Sequence, residues 1–331
     1  MTKMRLPRSL RSLAMTNRIM NMKNLISQFN MIKQKPLVSV IMPVHNAGGF
    51  LVEAIESILN QTYKNLELVI VDDASTDDSW TAIKGFQKRF PRKIKAYRIR
   101  KQANFAGNGA SNHGLKYTKG QFIARMDADD VAIPSRIEKQ VNYLLKHPRT
   151  ILVGTQAEVI NANGETLGIK HVPQAHAEIY RQFGSIHPLI HPSTMIRRSL
   201  LPDRTKLYED KYGVNDDYYT FFKFLSYGKF ANLPEVLHKY RLHGKNASLT
   251  NLREKCLNTI SIRLAAMREL GYRMPVSGYL HMGLQFLVAV ILPEKILMQL
   301  YLTMRGLDKS PKRAFANMAF TPTKKYYSLS K

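Results

Sequence analysis

The stretch LELVIVDDASTDDS, residues 66–79, is the part of the sequence that decides the fold class. Its first six residues are apolar apart from Glu67, and a short run of this kind is typical of a strand buried in a parallel sheet. The run ends abruptly at Asp72 and Asp73, and a helical pattern follows over 77–90. The stretch therefore predicts a strand that carries two carboxylates at its carboxyl end.

The same alternation of strand and helix patterns extends to both sides of this stretch. A buried strand is predicted over 37–43, further strands over 94–99 and 121–126, and helices over 53–61 and 110–118. Strands that alternate with helical crossovers form a mostly parallel sheet that helices cover on both faces. The predicted fold class is therefore α/β.

Acidic residues also follow the strand pattern over 121–126, at Asp127, Asp129 and Asp130. Ligands of open α/β sheets bind in the crevice outside the carboxyl ends of the strands. If the two acid-bearing strands are neighbours, up to five carboxylates converge there, and so many unpaired anions repel one another strongly. A divalent cation that bridges to a diphosphate removes this repulsion, and oxygen ligands favour Mg²⁺ or Mn²⁺.

Each acidic cluster also has a simpler interpretation, as a turn or as a helix N-cap. Two clusters in register along one α/β pattern favour a binding site over this interpretation. The sequence contains neither G-x-x-x-x-G-K-[ST] nor G-x-G-x-x-G, which argues against a P-loop NTPase and against a dinucleotide-binding dehydrogenase.

The chain is strongly basic, because its 331 residues include 50 Lys and Arg against 24 Asp and Glu, a formal net charge of +26. Such an excess usually indicates a polyanionic partner: nucleic acid, an anionic membrane or a phosphorylated ligand. The hydrophobic content of 44% is ample for a packed core and excludes a disordered chain. Cys256 is the only cysteine, which excludes a disulfide scaffold and suits a reducing compartment.

The excess charge is concentrated in the two flanks of the chain. Residues 1–36 carry a net charge of +8 and residues 251–331 carry +9, which leaves +9 for the much longer segment 37–250. We therefore predict a basic N-terminal arm, a catalytic domain over 37–250 and a helical, basic C-terminal extension. Part of the arm could also be untranslated, with the true start at Met15, Met20, Met22 or Met31.

The most apolar stretch, VSGYLHMGLQFLVAVIL at 276–292, lies in the C-terminal extension. Its length of about 17 residues is close to the minimum for a membrane span. His281 and Gln285 interrupt it, so we expect a helix that lies in or against a membrane, or one that packs on the catalytic domain. Each basic residue near an anionic leaflet contributes about 1 kcal/mol of attraction, so the flanks predict peripheral contact with an anionic membrane.

Two blocks of the sequence, 38–79 and 120–148, resemble family 2 glycosyltransferases with the GT-A fold, and the resemblance extends from Leu37 to Ser248. It implies an inverting, metal-dependent enzyme. The implied donor is a nucleotide-diphospho sugar, most readily a UDP sugar. The implied acceptor is a hydroxyl of a glycan or lipid-linked molecule in cell-envelope polysaccharide synthesis. We expect a cytoplasmic location, at the cytoplasmic face of the inner (plasma) membrane.

The resemblance assigns donor binding to Pro43, His45, Asn46, Asp72, Asp73, Asn112, Asp127 and Arg136. Asp73 corresponds to the acid that reads the base, and His45 stands where the family usually has Tyr or Phe. Ser111 replaces a common basic residue, so a phosphate contact from that position is lost. Arg136 has the alternative role of pairing with the acids at the strand ends.

For the metal, the resemblance points to the D-x-D acids Asp127 and Asp129 together with His243, which belongs to the segment YRLHGKNAS at 240–248. Asp129 is the implied metal ligand, and Asp127 contacts the ribose or the metal shell. The implied cofactor is Mn²⁺ or Mg²⁺.

For the acceptor side, the resemblance aligns Asp217 with the carboxylate that acts as the catalytic base. The simpler interpretation of Asp217 is a favourable acid at a helix N-terminus. Asp216 stands where the family usually has Glu. His191, in the segment HPLIHP at 187–192, lines the acceptor side or is a structural residue.

Two other classes of function remain open for this sequence. Charge alone would suit a nucleic-acid-binding protein, but that class predicts basic and aromatic residues together on the main domain, where this chain carries acidic clusters. We therefore expect no specific nucleic-acid partner. The other class is a non-catalytic glycosyltransferase-like scaffold, against which the presence of Asp73, Asp129 and Asp217 argues.

Overall fold

The computed structural model describes residues 35–100, 107–244, 246 and 251–304. All but the last two positions of the predicted N-terminal arm therefore lie outside the described residues. The end of the predicted C-terminal extension also lies outside them.

Nine strands of the described chain form a single sheet. In chain order they are β1 (Val38–Val44), β2 (Leu66–Asp73), β3 (Ile94–Ile99), β4 (Phe122–Arg125), β5 (Val131–Ala132), β6 (Thr150–Asn161), β7 (Thr166–Lys170), β8 (Met195–Arg197) and β9 (Lys229–Leu242). The first four are the strands that the sequence predicts.

Helices within the described ranges cover both faces of this sheet. In chain order they are α1 (Phe50–Leu59), α2 (Ser79–Arg89), α3 (Asn108–Leu115), α4 (Arg136–Lys146), α5 (His176–Gln182), α6 (Asp216–Phe224), α7 (Leu252–Leu270), α8 (Val276–Ile291) and α9 (Glu294–Met304). Short 3₁₀ turns occur at His191–Ser193, Arg198–Leu200 and Gly213–Asn215.

The strand order across the sheet is β3-β2-β1-β4-β8-β6-β9-β5, with β7 paired to β6. The first four strands in this order run parallel to one another, and so do β6 and β9, whereas the other pairings are antiparallel. The predicted α/β sheet flanked by helices is confirmed. The antiparallel strands come from the second half of the sheet, where the sequence shows no long apolar runs.

The two acid-bearing strands, β2 and β4, are not neighbours, because β1 lies between them. Adjacent strands lie about 4.8 Å apart, so the ends of β2 and β4 are separated by about 10 Å. The condition for a single group of five carboxylates is therefore not met. Asp72 and Asp73 end β2, and the acids that follow β4 form a cluster of their own.

Hydrophobic side chains pack on both faces of the sheet. Val40 and Met42 of β1 belong to the cluster under α1, α2 and α4, whereas Ile41 belongs to the cluster on the opposite face. This alternation is what the pleat of a strand imposes. Burial on both faces explains why β1 and β2 are continuous apolar runs.

The C-terminal extension is joined to the second of these clusters through α7. Ile262, Ala265 and Ala266 of α7 are buried in the same cluster as Phe221 of α6. The helix α8 then packs closely beside the turn that precedes it, where a Cβ atom on Gly278 would lie 2.6 Å from a Met274 carbon.

Among the helices of the described ranges, none combines the length and the apolar content that crossing a bilayer demands.

Candidate active site

Three carboxylates lie together just beyond the carboxyl end of β4. Oxygen atoms of Asp127, Asp129 and Asp130 all lie within 4.8 Å of one another. Asp130 is buried, and this burial, together with the negative charges of Asp129 and Asp127, raises its pKa well above the usual value. Because hard oxygen ligands at this spacing suit Mg²⁺ or Mn²⁺, the residues present fit a divalent metal.

Asp130 is the innermost acid of this cluster, and its partners are buried. Its Oδ2 lies 2.8 Å from His238 Nε2, and its Oδ1 accepts a 2.9 Å hydrogen bond from the backbone N–H of Arg241. Arg136 can only donate and lies 3.4 Å from His238 Nδ1, so Nδ1 is the acceptor and Nε2–H donates to Asp130. Burial lowers the pKa of His238 well below its usual value, which keeps the imidazole neutral.

Arg136 lies on the buried side of the carboxylate cluster. Its buried guanidinium donates to the Arg125 carbonyl at 2.7 Å and to Gln140 Oε1 at 3.3 Å. Burial lowers the pKa of Arg136 to about 10, although the charges of Asp130 and Asp127 oppose this shift. With no exposed surface, the side chain supports the strand-end acids, and this structure gives it no access to a donor.

Asp129 is the acid that a loop from the end of β9 holds in place. His243 Nε2 lies 2.9 Å from Asp129 Oδ2, and Asn246 Nδ2 lies 3.5 Å from the same oxygen. The His243 ring also stacks on Phe50 at a centroid distance of 4.9 Å. Because a carboxylate only accepts hydrogen bonds, His243 donates to Asp129 through Nε2–H and fixes its orientation.

The loop after β1 brings His45 and Asn46 over the end of β2. His45 is exposed, and its Nδ1 lies 2.7 Å from the Asp73 carbonyl oxygen, so Nδ1 carries the proton. Asn46 has a φ of +50°, which Asn tolerates better than most residues, and its Oδ1 accepts a 2.8 Å hydrogen bond from the N–H of Thr76. The structure thus brings together three of the residues predicted for the nucleotide base.

Pro43 is the second-to-last residue of β1 and lies just before this loop. It is buried, and Gly107 approaches it so closely that a Cβ atom there would lie 2.9 Å from Pro43 Cγ. Gly107 also has a φ of +75°, which glycine adopts at no steric cost. The close approach of residue 107 to β1 therefore requires glycine.

Asp72 is completely buried at the end of β2. Its Oδ2 lies 2.9 Å from Arg98 Nε, yet neither of its oxygens accepts a hydrogen bond of good geometry within the described ranges. Opposite charges at 2.9 Å attract whatever the bond angle, so we regard Arg98 as the partner of Asp72. The structure therefore gives Asp72 a neighbour that neutralises it.

Asp217 lies at the start of α6, facing two histidines. His191 Nδ1 is 3.2 Å and His187 Nε2 is 3.6 Å from Asp217 Oδ2. Burial opposes ionisation of Asp217, but the two imidazoles outweigh it and hold its pKa well below the usual value. Burial also lowers the pKa of His187, so that ring is neutral near pH 7.

A chain of contacts joins Asp217 to the carboxylate cluster. Tyr208 Oη lies 2.7 Å from His191 Nε2, and burial raises the pKa of Tyr208, so its phenol remains protonated and donates to that nitrogen. The Tyr208 ring lies 5.9 Å from the guanidinium of Arg125. Arg125 in turn donates from Nε to Asp127 Oδ1 at 2.8 Å. The acids at the two ends of this chain are thus held in one connected structure.

Arg125 places a buried positive charge beside Ser111, the position where a basic residue was expected. Its Nη1 donates a short hydrogen bond to Ser111 Oγ. Because Arg125 is buried and paired with Asp127, its contacts orient that carboxylate. A signal for this residue exists in the sequence, because Arg125 is a lone charge in the otherwise apolar run FIARM at 122–126.

His187 and Tyr208 are site residues that the sequence analysis did not predict, and the sequence contains a signal for one of them. His187 belongs to a His-Pro pair that is repeated at 191–192, and this repeat is a usable signal. Tyr208 lies in an irregular segment, and nothing in its local sequence distinguishes it.

Asn112 and Asp216 are both committed to the backbone of one loop. Asn112 donates to the Tyr208 carbonyl at 2.8 Å and accepts the N–H groups of Leu207 and Tyr208. Asp216 is buried and accepts the N–H groups of Lys211 and Tyr212. These side chains shape the segment that carries Tyr208, which is a different contribution from the donor and acceptor contacts that the sequence predicts for them.

The family model described as Glycosyl transferase family 2 matches residues 39–204, half of this chain. This chain belongs to glycosyltransferase family 2. An uncharacterized glycosyltransferase of Haemophilus influenzae is 37% identical over 222 residues, which cover 64% of this chain and 68% of that protein. The O-antigen biosynthesis glycosyltransferase WbnJ of Escherichia coli is 32% identical over 225 residues, which cover 65% of this chain and 84% of WbnJ.

Solved structures support the fold of this glycosyltransferase. The mannosyltransferase PcManGT from Pyrobaculum calidifontis, in complex with GDP-Man and Mn²⁺, superposes with a TM-score of 0.54 at 18% identity, covering 86% of this chain and 79% of PcManGT. TarS of S. aureus in complex with UDP-GlcNAc gives a TM-score of 0.51 at 18% identity, covering 82% of this chain and 88% of that chain. At this identity the likeness concerns the fold alone, and it confirms the predicted GT-A architecture.

Proposed function

We propose that this glycosyltransferase moves a sugar from a UDP sugar to a hydroxyl of a glycan or lipid-linked acceptor, with inversion at the anomeric carbon. The observation that carries the proposal is the placement of two kinds of acid at the ends of one chain of contacts. The carboxylate cluster that includes Asp127 lies at one end, and Asp217 lies at the other. With a divalent cation bound, the cluster would stabilise an anionic leaving group, and Asp217 would take the proton of the acceptor hydroxyl.

Asp127 and Asp129 are the residues that would hold a divalent cation, Mn²⁺ or Mg²⁺. When bound, such an ion neutralises the negative charge that develops on the leaving diphosphate. Arg125 and His243 orient the two carboxylates through hydrogen bonds of 2.8 and 2.9 Å. The Mn²⁺ present in the PcManGT complex supports this proposal.

The nucleotide binds, in this proposal, to the loop after β1 and to the end of β2. The exposed imidazole of His45 offers a face on which a base can stack, and Asp73 is the acid that reads the base. The TarS complex with UDP-GlcNAc supports a uridine nucleotide, and the PcManGT complex with GDP-Man is the precedent for the alternative.

Asp217 is the proposed catalytic base. It is ionised at neutral pH, which is the form that accepts a proton. The histidines that lower its pKa orient it and also weaken it as a base. His191 donates to it from Nδ1 and accepts a hydrogen bond from the Tyr208 phenol at Nε2, so the imidazole is held in one tautomer and one orientation. A base placed across the sugar from the leaving diphosphate accepts the acceptor proton during one in-line displacement, which inverts the anomeric carbon.

We place this enzyme in cell-envelope polysaccharide synthesis at the cytoplasmic face of the plasma membrane. The relationship to WbnJ, whose name assigns it to O-antigen biosynthesis, supports the class of product. The acceptor would approach from the side of His191 and Asp217. The basic flanks of the sequence support peripheral contact with anionic lipid.

A donor screen tests this proposal. Purified full-length protein is incubated with a panel of nucleotide-diphospho sugars, with Mn²⁺ or with EDTA, and release of free nucleotide is measured. We expect metal-dependent hydrolysis of UDP sugars that Asp129→Asn abolishes and that the exposed Asp203→Asn control retains. Hydrolysis of no donor, or hydrolysis that survives both EDTA and Asp129→Asn, contradicts the proposal. Once an acceptor is identified, NMR of the product reports its anomeric configuration, and retention would exclude the single displacement.

A further inference from the structure

The outward face of α8 is apolar along its whole length, which is the reverse of the usual pattern of a surface helix. The side chains on this face, each at least half exposed, are Val276, Tyr279, Leu280, Leu284, Phe286, Leu287, Val290 and Ile291. At 3.6 residues per turn, these positions fall within an arc of about 160°. The helix contains no Asp, Glu, Lys or Arg.

The opposite face of α8 is fixed to α7 by polar contacts. Arg263 donates to Gln285 Oε1 at 2.6 Å, near the middle of α8. Arg253 donates to the carbonyl oxygens of Val290 and Leu292 at 3.1 and 2.8 Å, at the end of α8. These bonds would have to break for α8 to rotate and bury its apolar face on its own domain. The apolar face is therefore held outward by the fold.

Basic residues lie at both ends of this apolar face. Arg273 precedes α8, and Lys295 follows it directly after Glu294; all three are exposed, so the folded part contributes its net positive charge at Arg273. The sequence after Met304 adds seven Lys and Arg against one acid, Asp308. A helix with a continuous apolar face and flanking basic residues has the chemistry of an interfacial helix on an anionic bilayer.

We propose that the outward face of α8 docks on the surface of an anionic phospholipid bilayer, with the helix lying flat and its side chains inserted at the headgroup boundary. A second copy of this chain is a poorer partner, because two copies carry excess charge of the same sign, at Arg273 and in the sequence after Met304. Lipid headgroups of opposite sign complement these charges. The proposal rests on the membrane contact proposed above and assigns it to one surface. Vesicle binding is measured without donor or acceptor, so its failure is distinguishable from a failure of sugar transfer.

Vesicle flotation of the full-length protein tests this surface. We expect flotation with vesicles of phosphatidylcholine mixed with phosphatidylglycerol, and weaker flotation with phosphatidylcholine alone or at high salt. Leu287→Ser removes an inserted apolar side chain and lowers the vesicle partition coefficient about tenfold. Ile169→Ser on β7 is the matched control, since Ile169 is 50% exposed and Leu287 is 53% exposed. We expect the control to bind as the wild type does.

Three results would overturn the proposal. Failure of the full-length protein to float with either vesicle is the first, and equal partitioning of Leu287→Ser and Ile169→Ser is the second. The third is a dimer, detected by light scattering, that Leu287→Ser dissociates while the wild type does not float, because the face would then belong to a second copy. Thermal unfolding of both variants at the wild-type temperature shows that any lost flotation reflects the surface and not the fold.

Discussion

Acidic side chains have different surroundings at the two ends of the parallel strands. At the amino end, Glu67 of β2 accepts hydrogen bonds from Ser39 Oγ at 2.6 Å, Lys95 Nζ at 2.6 Å and the Lys119 N–H at 2.7 Å. Burial alone would raise the pKa of Glu67, but these bonds outweigh it and lower that pKa. These three hydrogen bonds therefore favour the ionised form of Glu67.

At the carboxyl end, three carboxylates share one small volume instead. Asp127, Asp129 and Asp130 approach within 4.8 Å, and burial and like charge raise the pKa of Asp130. Each of these acids also has a partner, in Arg125, His243 or His238, yet their mutual repulsion persists. A bound divalent cation would relieve that repulsion. The same residue type is thus structural at one end of a strand and a candidate for function at the other.

The largest effect is expected for Asp217→Asn. Asp217 lies at the start of α6 and is joined to the carboxyl-end cluster through His191, Tyr208 and Arg125. If Asp217 is the base, this change lowers the rate of sugar transfer by about 10²–10⁴-fold while nucleotide affinity stays unchanged. Steady-state kinetics with an identified donor and acceptor, together with calorimetry for UDP, measure both quantities. Near-normal turnover in the variant would remove Asp217 from the mechanism, and Asp203→Asn serves as the exposed control.

A smaller but still large effect is expected for Asp129→Ala on metal-dependent nucleotide binding. Changing a residue that only orients a metal ligand typically costs 10–100-fold in metal affinity, so removing a ligand should cost about 100-fold or more. Titration calorimetry of UDP with and without Mn²⁺ measures this loss. His243→Ala should fall in the lower range, because His243 orients Asp129 through a 2.9 Å hydrogen bond. Unchanged affinity in both variants would refute a metal site at this end.

The amino end is expected to affect stability without affecting chemistry. Glu67→Gln leaves Lys95 and the Ser39 hydroxyl without a charged acceptor, which should lower the free energy of unfolding by about 1–3 kcal/mol. Lys95 is 32% exposed, so solvent screens part of the ion pair. Urea denaturation measures the change, and the rate of donor hydrolysis per folded molecule should equal that of the wild type. A drop in that rate would mean that the two ends are not independent.

The smallest expected effect is the pH dependence of this stability difference. The folded pKa of Glu67 lies below the ordinary glutamate value of 4.5, so its stabilisation is present above that value and is lost as pH falls through the folded pKa. Glutamine does not titrate. The difference in unfolding free energy between wild type and Glu67→Gln should therefore be full at neutral pH and should shrink in acid. A difference that stays constant, or that grows in acid, would contradict the pairing of Glu67.

The sequence predicted the part of the fold that is encoded by local patterns. The strands β1, β2 and β4 are mostly apolar runs because they are buried on both faces, and each ends where acids or turn residues begin. The edge strand β3 is only partly buried and contains Lys95 and Arg98. Asp127 and Asp129 could be recognised because they follow such a run directly. The antiparallel strand β8 has only three residues and lies among residues with no such pattern, so its place beside β4 could not be read from the sequence.

The candidate site was predicted less completely, because several of its contacts join distant parts of the chain. Arg136 was an expected donor contact, with pairing to the strand-end acids as the alternative. The structure places it beside these acids and His238, a residue 102 positions away. Tyr208 lies in an irregular segment that Asn112 holds in place from 96 positions away. Neither relationship leaves a trace in local composition or spacing.

By itself, the sequence determined the fold class, the family and the identity of the acids that face the carboxyl edge. It did so because burial and turn formation leave periodic, local signatures in the order of residues. Only the tertiary structure decided which acids share a site, because β1 separates β2 from β4. It also decided that the apolar face of α8 points outward, because Arg253 and Arg263 fix the opposite face to α7. The direction in which a helix face points, and the residues that become neighbours, depend on contacts between distant segments. Those contacts form only when the chain folds.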